Sequence, residues 1–222
     1  MERHFDEELK ELTKQLLKMS ALVEGTISHS IKALVERKAD LAEEVIRTDK
    51  AIDILEIKID ELCLRLLALY QPAAIDLRLI TAIMKINSDL ERISDQAVNI
   101  AERTQEIIKQ PLLKPLIDIP RMAALAQKMV KDAIDALVNK DEALARDICK
   151  RDDEVDNLND QVFRELLTYM IQDSKTITIA VELILVGRHL ERIADHATNI
   201  AEDVIYFVKG KIIKHHIEET HS

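Results

Sequence analysis

Residues 90–102 read LERISDQAVNIAE, and residues 190–202 read LERIADHATNIAE. Only Ser94/Ala194, Gln96/His196 and Val98/Thr198 differ between the two blocks. A near-copy at an offset of 100 residues means that the chain was built twice. The repeating unit is too long for a solenoid repeat and long enough for three helices. The fold must therefore accommodate two copies of one unit.

That unit is helical. The 222 residues include only three Gly, four Pro and no Trp, against abundant Leu, Ile, Ala, Glu and Lys. Little in such a chain breaks a helix. The reading is all-α, two tandem, pseudo-symmetric three-helix bundles made of six long helices. The first helix runs from near His4 to about Arg37. Asp40 and Glu43 form a capping box for the second, which ends near Tyr70 where Gln71-Pro72 breaks it. The third starts between Ala73 and Asp76 and stops before Pro111. The fourth runs from about Pro120 to Val138. Asp141 caps a fifth that reaches about Ile171, and Asp173 or Ser174 caps a sixth that ends near Lys209, with Gly210 as a left-handed stop. Residues 1–110 and 120–210 are then the two repeats, 111–119 the proline-rich linker, and 211–222 a polar tail expected to fray.

Apolar seams support the plan. Leu79, Ile83, Ile86, Leu90, Ile93, Ala97, Ile100, Thr104 and Ile107 alternate steps of four and three, as do Ile179, Leu183, Val186, Leu190, Ile193, Ala197, Ile200, Val204 and Phe207. Leu41, Val45, Thr48, Ile52, Leu55, Ile59, Leu62, Leu66 and Leu69 form the seam of the second helix. Such seams suit bundle packing at shallow crossing angles.

The bulk chemistry excludes several classes of function. A net charge of −10 is wrong for a nucleic-acid binder, which needs a basic face, but suits a protein partner with a basic patch. Cys63 and Cys149 stand alone in apolar stretches and read as buried small hydrophobes of a reducing compartment. No signal peptide and no membrane span are legible, so a cytoplasmic location is expected, with any membrane attachment through partners. No glycine-rich phosphate loop, Gly-x-Ser-x-Gly or Ser/His/Asp arrangement is present, and no enzyme activity is expected.

The polar signal lies in the carboxylates. At about 100° per residue, Ser88, Glu91, Asp95, Asn99 and Glu102 share one stripe of the third helix, opposite its seam. Glu191, Asp195, Asn199 and Glu202 repeat it on the sixth. The second helix adds Asp49, Asp53, Glu56 and Asp60 on one flank of its seam. The fifth answers with Asp152 and Asp156, but Asn159 and Phe163 replace the last two acids. Like charges at i,i+4 cost roughly 0.2–0.5 kcal/mol per pair, and two facing rows cost more unless a cation lies between them. Carboxylates with Asn and no Cys suit hard ions: Mg²⁺, Mn²⁺, Ca²⁺ or Fe³⁺. A single acidic pair is more simply a solvated face; four pairs in register across a duplication favour metal. A ferritin-like di-iron site is disfavoured, because its Glu-x-x-His spacing occurs only at Glu218 and His221, in the tail. His196, next to Asp195, could assist a metal in one repeat, whereas His215 and His216 read as solvated.

Taken together, Asp49-x-x-x-Asp53, the run QPAAIDLR at 71–78 and LERISD at 90–95 resemble the first half of the PhoU family of phosphate-uptake regulators. Asp152-x-x-x-Asp156, LERIADHATNIAE and the run VIYFVKG at 204–210 resemble its second half. The similarity spans nearly the whole chain. It implies a helical, often dimeric regulator rather than an enzyme. Such a regulator acts with the phosphate ABC transporter, through its ATPase subunit, and with a phosphate-sensing histidine kinase. It also implies metal ions, iron among them, held at Asp49, Asp53, Glu91 and Asp95 and at Asp152, Asp156, Glu191 and Asp195. Asn99, Glu102, Asn199 and Glu202 are possible additional ligands. The chain departs from the family at Ser94 and Ala194, where Gly is usual, and in lacking the Gln-Pro break in the second repeat. Two other readings stay open: a metal-free adapter whose acidic faces meet basic patches, and a metalloenzyme built on the carboxylates.

Overall fold

Six helices make up nearly all of residues 2–210, the part of the chain that the computed structural model describes. They are α1 (Glu2–Glu36), α2 (Ala39–Tyr70), α3 (Ala74–Ile107), α4 (Asp118–Asn139), α5 (Glu142–Gln172) and α6 (Ile177–Lys209). No strand occurs among the described residues. The expected polar tail, with His215, His216, Glu218 and His221, lies outside them.

The helix ends show how far local chemistry dictates the boundaries. In both repeats the first helix closes with the same motif. Lys38 N–H donates to the Ala33 carbonyl at 2.9 Å with Arg37 at φ 55°, and Asp141 N–H donates to Ala136 at 2.9 Å with Lys140 at φ 53°. These are 6→1 closures with a left-handed residue at the turn. In the second repeat the residue that follows is Asp141, whose carboxylate accepts from Leu144 N–H at 3.0 Å and caps α5 as expected. In the first repeat it is Lys38, which has no acceptor to offer. The capping box expected at Asp40 and Glu43 is therefore absent: the turn is so tight that Asp40 is already helical. Its charge instead opposes the positive end of the helix dipole.

Gln71, left-handed at φ 47°, ends α2 ahead of Pro72. Asp173 caps a short 3-10 turn (Ser174–Thr176) rather than α6 itself, and Thr176 is the N-cap of α6. Helix α4 begins two residues before Pro120, which sits in its first turn, where a missing N–H costs nothing. Gly210, at φ 70°, stops α6 and donates to the Tyr206 carbonyl at 2.8 Å.

Helices α3 and α6 form the centre. Arg78 Nε donates to the Phe207 carbonyl, Asp89 meets His196, Gln96 meets His189, and Arg103 pairs with Glu182. Along α3 these residues are spaced 11, 7 and 7 apart, and their partners descend α6 by the same steps, so the two helices run antiparallel. The pairing is itself pseudo-symmetric: positions 89 and 196 exchange with 189 and 96. The expected seams of α3 and α6 are buried, with only Leu79 partly open. In α2, Leu69 leaves the core and is 65% exposed, while the next residue, Tyr70, still packs its ring against Phe5 of α1. Helix α2 packs on α1 and α3, α5 packs on α4 and α6, and α1 also meets α4. The two repeats thus share one continuous core built largely of Leu, Ile, Val and Ala.

Candidate functional site

The furrow between α2 and α3 gathers the first four acids. Asp49 is half-buried, Glu91 likewise, while Asp53 and Asp95 are open to solvent. Ser94, fully buried on α3, donates its hydroxyl to Asp49 Oδ1 at 2.8 Å. Burial pushes the Asp49 carboxyl up, Ser94 pulls it back, and Asp53 and Asp95 push it up again. Burial raises Glu91 to about 7, helped by Asp95, Glu56, Asp53 and Asp49. Burial and Asp53 raise Asp95. Glu56 is raised by burial and by Asp60, Asp53 and Asp95. Asp49, Glu56, Glu91 and Asp95 each feel acids on the opposite helix, so the two rows do face each other. Glu56, read in the sequence as part of the α2 row, belongs to the group as firmly as the four chosen residues.

The α5/α6 furrow repeats the arrangement with one hydroxyl missing. Ala194 stands where Ser94 does, and Asp152 Oδ1 is buried with no hydrogen-bond partner. Asp152 is raised to about 6 by burial first, then by Asp195, Asp156, Asp153 and Glu191. Asp156 and Glu191 are raised for the same reasons, Glu191 being partly relieved by Arg188. Asp195 is raised by burial against the opposing pull of His196 and Arg192. Where Glu56 adds a charge in the first repeat, Asn159 Nδ2 donates to Glu191 Oε2 at 2.7 Å. Room for that amide comes from Gly187, where a Cβ would lie 2.7 Å from Asn159 Oδ1. The first repeat has Asn87 at the matching place, and it reaches across to the Glu56 carbonyl at 2.9 Å and Asp60 at 3.0 Å. The two repeats fill the same gap from opposite helices.

Of the possible additional ligands, Glu202 acts on the Cys149 thiol, which burial raises to about 11. Asn99, Glu102 and Asn199 continue the stripe beyond the quartets. Cys63 is buried, its thiol pushed up to about 12, which makes it inert. His196 does not turn toward the acids beside it. It is buried, with Nδ1 2.8 Å from Asp89 across the repeat junction, so it is a bundle residue and not a metal ligand. Burial, with Arg192, Arg103 and Arg188, lowers His189 to about 4. Sequence reasoning missed this junction, although Gln96/His196 was one of three differences within the repeated block.

Chemically, both furrows suit a hard cation: every donor is oxygen, and one is a buried carboxylate atom without a partner. As the side chains lie, however, no three His, Cys, Asp or Glu among the described residues converge on one ion. A bound ion would have to draw the half-exposed carboxylates together. Among the described residues no helix is long and apolar enough to cross a membrane.

Known proteins resemble this chain in sequence and in fold. The PhoU domain family matches residues 16–104 and again 119–204. A phosphate-specific transport system accessory protein PhoU homolog of Aquifex aeolicus is 46% identical over 213 residues, covering 96% of both chains. The homolog of that name from Deinococcus radiodurans is 38% identical over 210 residues, covering 95% of this chain and 99% of its own. The crystal structure of PhoU from Pseudomonas aeruginosa superposes with a TM-score of 0.90 at 40% identity, covering 93% of this chain and all of that one. A phosphate transport system regulatory protein PhoU from Streptococcus pneumoniae gives 0.87 at 31% identity, over 94% and 98%. With both repeats matched and the likeness running nearly end to end, the chain belongs to the PhoU family.

Proposed function

We propose that this protein restrains phosphate uptake and phosphate-starvation signalling when phosphate is plentiful. It acts in the cytoplasm, as a homodimer and without turnover, on the ATPase subunit of the phosphate ABC transporter and on a phosphate-sensing histidine kinase. The observation that carries this reading is the end-to-end likeness to proteins named as accessory to the phosphate-specific transport system. Residues 1–110 and 120–210 are the two working repeats, joined by 111–119.

The paired acidic furrows support a part for metal. Asp49, Asp53, Glu91 and Asp95 would hold one set of hard cations, and Asp152, Asp156, Glu191 and Asp195 the other, with iron or else magnesium, manganese or calcium as the ion. The ion would supply positive charge that cancels carboxylate repulsion. The chain's own part is to keep the rows facing: Ser94 orients Asp49, and Asn159 orients Glu191. Because Glu91 and Asp152 hold protons more tightly than ordinary carboxylates, loading would release protons and weaken as pH falls. A regulator of this kind works by binding one state of its partner better than another.

Deletion of the gene tests the assignment. Phosphate-starvation genes should switch on in phosphate-rich medium. Normal repression in a strain without a second copy of the gene would overturn it.

A further inference from the structure

The α5/α6 furrow does not end at its acids. Down α6 the stripe Asp195, Glu191, Arg188, Ile184, Val181 and Ile177 faces out, at steps of four and three. On α5 it is matched by Asp152, Asp156, Asn159, Phe163, Leu167 and Ile171. The half nearest the acids is charged, and the half nearest the α5–α6 turn is apolar. Phe163 is 48% exposed, Leu167 42%, Ile171 78%, Ile177 45% and Val181 41%. Phe163 and Ile184 line one open cavity of about 380 Å³ together with Asn159, Asp160, Arg188 and Glu191, so the two halves are continuous. The first repeat presents this surface only in part: Leu64 and Leu77, the counterparts of Leu167 and Ile177, are exposed, but the apolar row is interrupted. Asp60 stands for Phe163, Ala68 for Ile171 and Thr81 for Val181.

A contiguous apolar patch of this kind on a soluble chain marks a contact site. Its occupant is set by the two halves. The apolar end accepts Leu-like side chains at i, i+3 and i+4 spacing. At the other end Asp152, Asp153, Asp156, Asp160, Glu191 and Asp195 outnumber Arg164, Arg188 and Arg192, of which Arg164 is already paired with Asp160. From Ile171 to Asp152 the furrow runs roughly 28 Å, the length of about five helical turns. We infer that the α5/α6 furrow, while no cation fills its acids, docks an amphipathic helix of a partner protein, whose apolar stripe leads into a basic one. This is helix-in-groove recognition, with the acids setting orientation and encounter rate. A second copy of this chain is a poorer occupant, since it brings its own net charge of −10 and its own acidic row. Only the second repeat carries the surface unbroken, and the helix it fits is defined by chemistry whatever protein carries it.

The probe is a fluorescein-labelled amphipathic peptide of about five turns, with leucines on one stripe of one half and lysines continuing that stripe in the other. A twin of equal composition carries the lysines on the opposite face. Anisotropy titrations are run in EDTA, so that no cation fills the acidic half and metal binding is tested separately. The first peptide should bind full-length protein at least tenfold more tightly than its twin. Phe163→Glu and Asp156→Lys, both at exposed positions, should each weaken it at least tenfold with helicity unchanged by circular dichroism. Leu64→Glu, at the exposed first-repeat counterpart of Leu167, should leave binding as it was. Equal binding of the twin, no binding, or equal loss with Leu64→Glu overturns the inference. So does sedimentation showing a wild-type dimer that Phe163→Glu splits, because the furrow would then be a self-contact.

Discussion

Replacing Ala194 by Ser should cure the one buried carboxylate oxygen that the second furrow leaves without a partner. In the first repeat the Ser94 hydroxyl donates to Asp49 at 2.8 Å. In the second, Ala194 is fully buried at the matching place and Asp152 Oδ1 has no donor. A hydrogen bond to a charged group is worth about 1.5–3 kcal/mol, and half-exposure of Asp152 puts the gain at the low end. Ser in a helix interior costs about 0.5 kcal/mol relative to Ala. The net gain is then about 1 kcal/mol, or roughly 2–4 °C in Tm for a chain of this size.

The pH dependence identifies the cause. Asp152 is raised from its ordinary value of 3.8 to about 6. An acid whose folded pKa lies above its unfolded one binds more protons when folded, so stability falls as pH rises between the two values. The new hydroxyl stabilises the ionised form. Its benefit should be complete at pH 8 and should fade as pH falls through 6 toward 4. Urea denaturation of both proteins at pH 4, 5, 6, 7 and 8 in EDTA measures this, and carboxyl carbon NMR should show the Asp152 titration moving to lower pH. A gain of the same size at every pH, or a loss at pH 8, would refute the reasoning. The reverse change, Ser94→Ala, should cost about 1 kcal/mol at pH 8 and raise Asp49 further.

Asp95→Asn combined with Asp195→Asn should abolish bound iron, manganese or magnesium by elemental analysis while raising Tm in EDTA, because each change removes like-charge repulsion. Gly187→Ala adds about 1 kcal/mol of helix propensity but drives Asn159 off Glu191; it should therefore stabilise clearly only in an Asn159→Ala background, which a double-mutant cycle by urea denaturation would show. His196→Ala leaves Asp89 buried without its partner across α3 and α6 and should cost about 2 kcal/mol by the same method, while metal content stays unchanged.

What was legible in the sequence was what repeats or acts locally. The duplicated block gave two three-helix units. The seams of α3 and α6 gave their buried stripes, and Gln71-Pro72, Asp141 and Gly210 gave helix ends whose chemistry is complete within a few residues. The Asp40 box failed because the closure of α1 through Ala33 and Lys38 set where α2 begins. The facing of the acidic rows was only half legible: helical-wheel arithmetic put the α2 row on a flank of its seam but the α3 row opposite its seam, whereas Glu91 is half-buried against Glu56, Asp53 and Asp49. The α3–α6 junction was not legible. Asp89 and His189 look like ordinary polar positions until a second helix, one repeat away, is laid against them, and His196 looked like a neighbour of Asp195 rather than a partner of Asp89. Ser94 and Ala194 were visible as one of three differences between the repeated blocks. That one hydroxyl separates two otherwise matching furrows required the distance to Asp49.

The central claim is restraint of phosphate uptake, and uptake is its most direct measure. Labelled phosphate entry should be followed in phosphate-rich medium in a deletion strain, with and without the wild-type gene on a plasmid. Uptake should rise on deletion, with phosphate or polyphosphate overaccumulating, and should return to the parental rate with the wild-type gene. Parental uptake and phosphate content in a deletion strain without a paralogue would contradict the account.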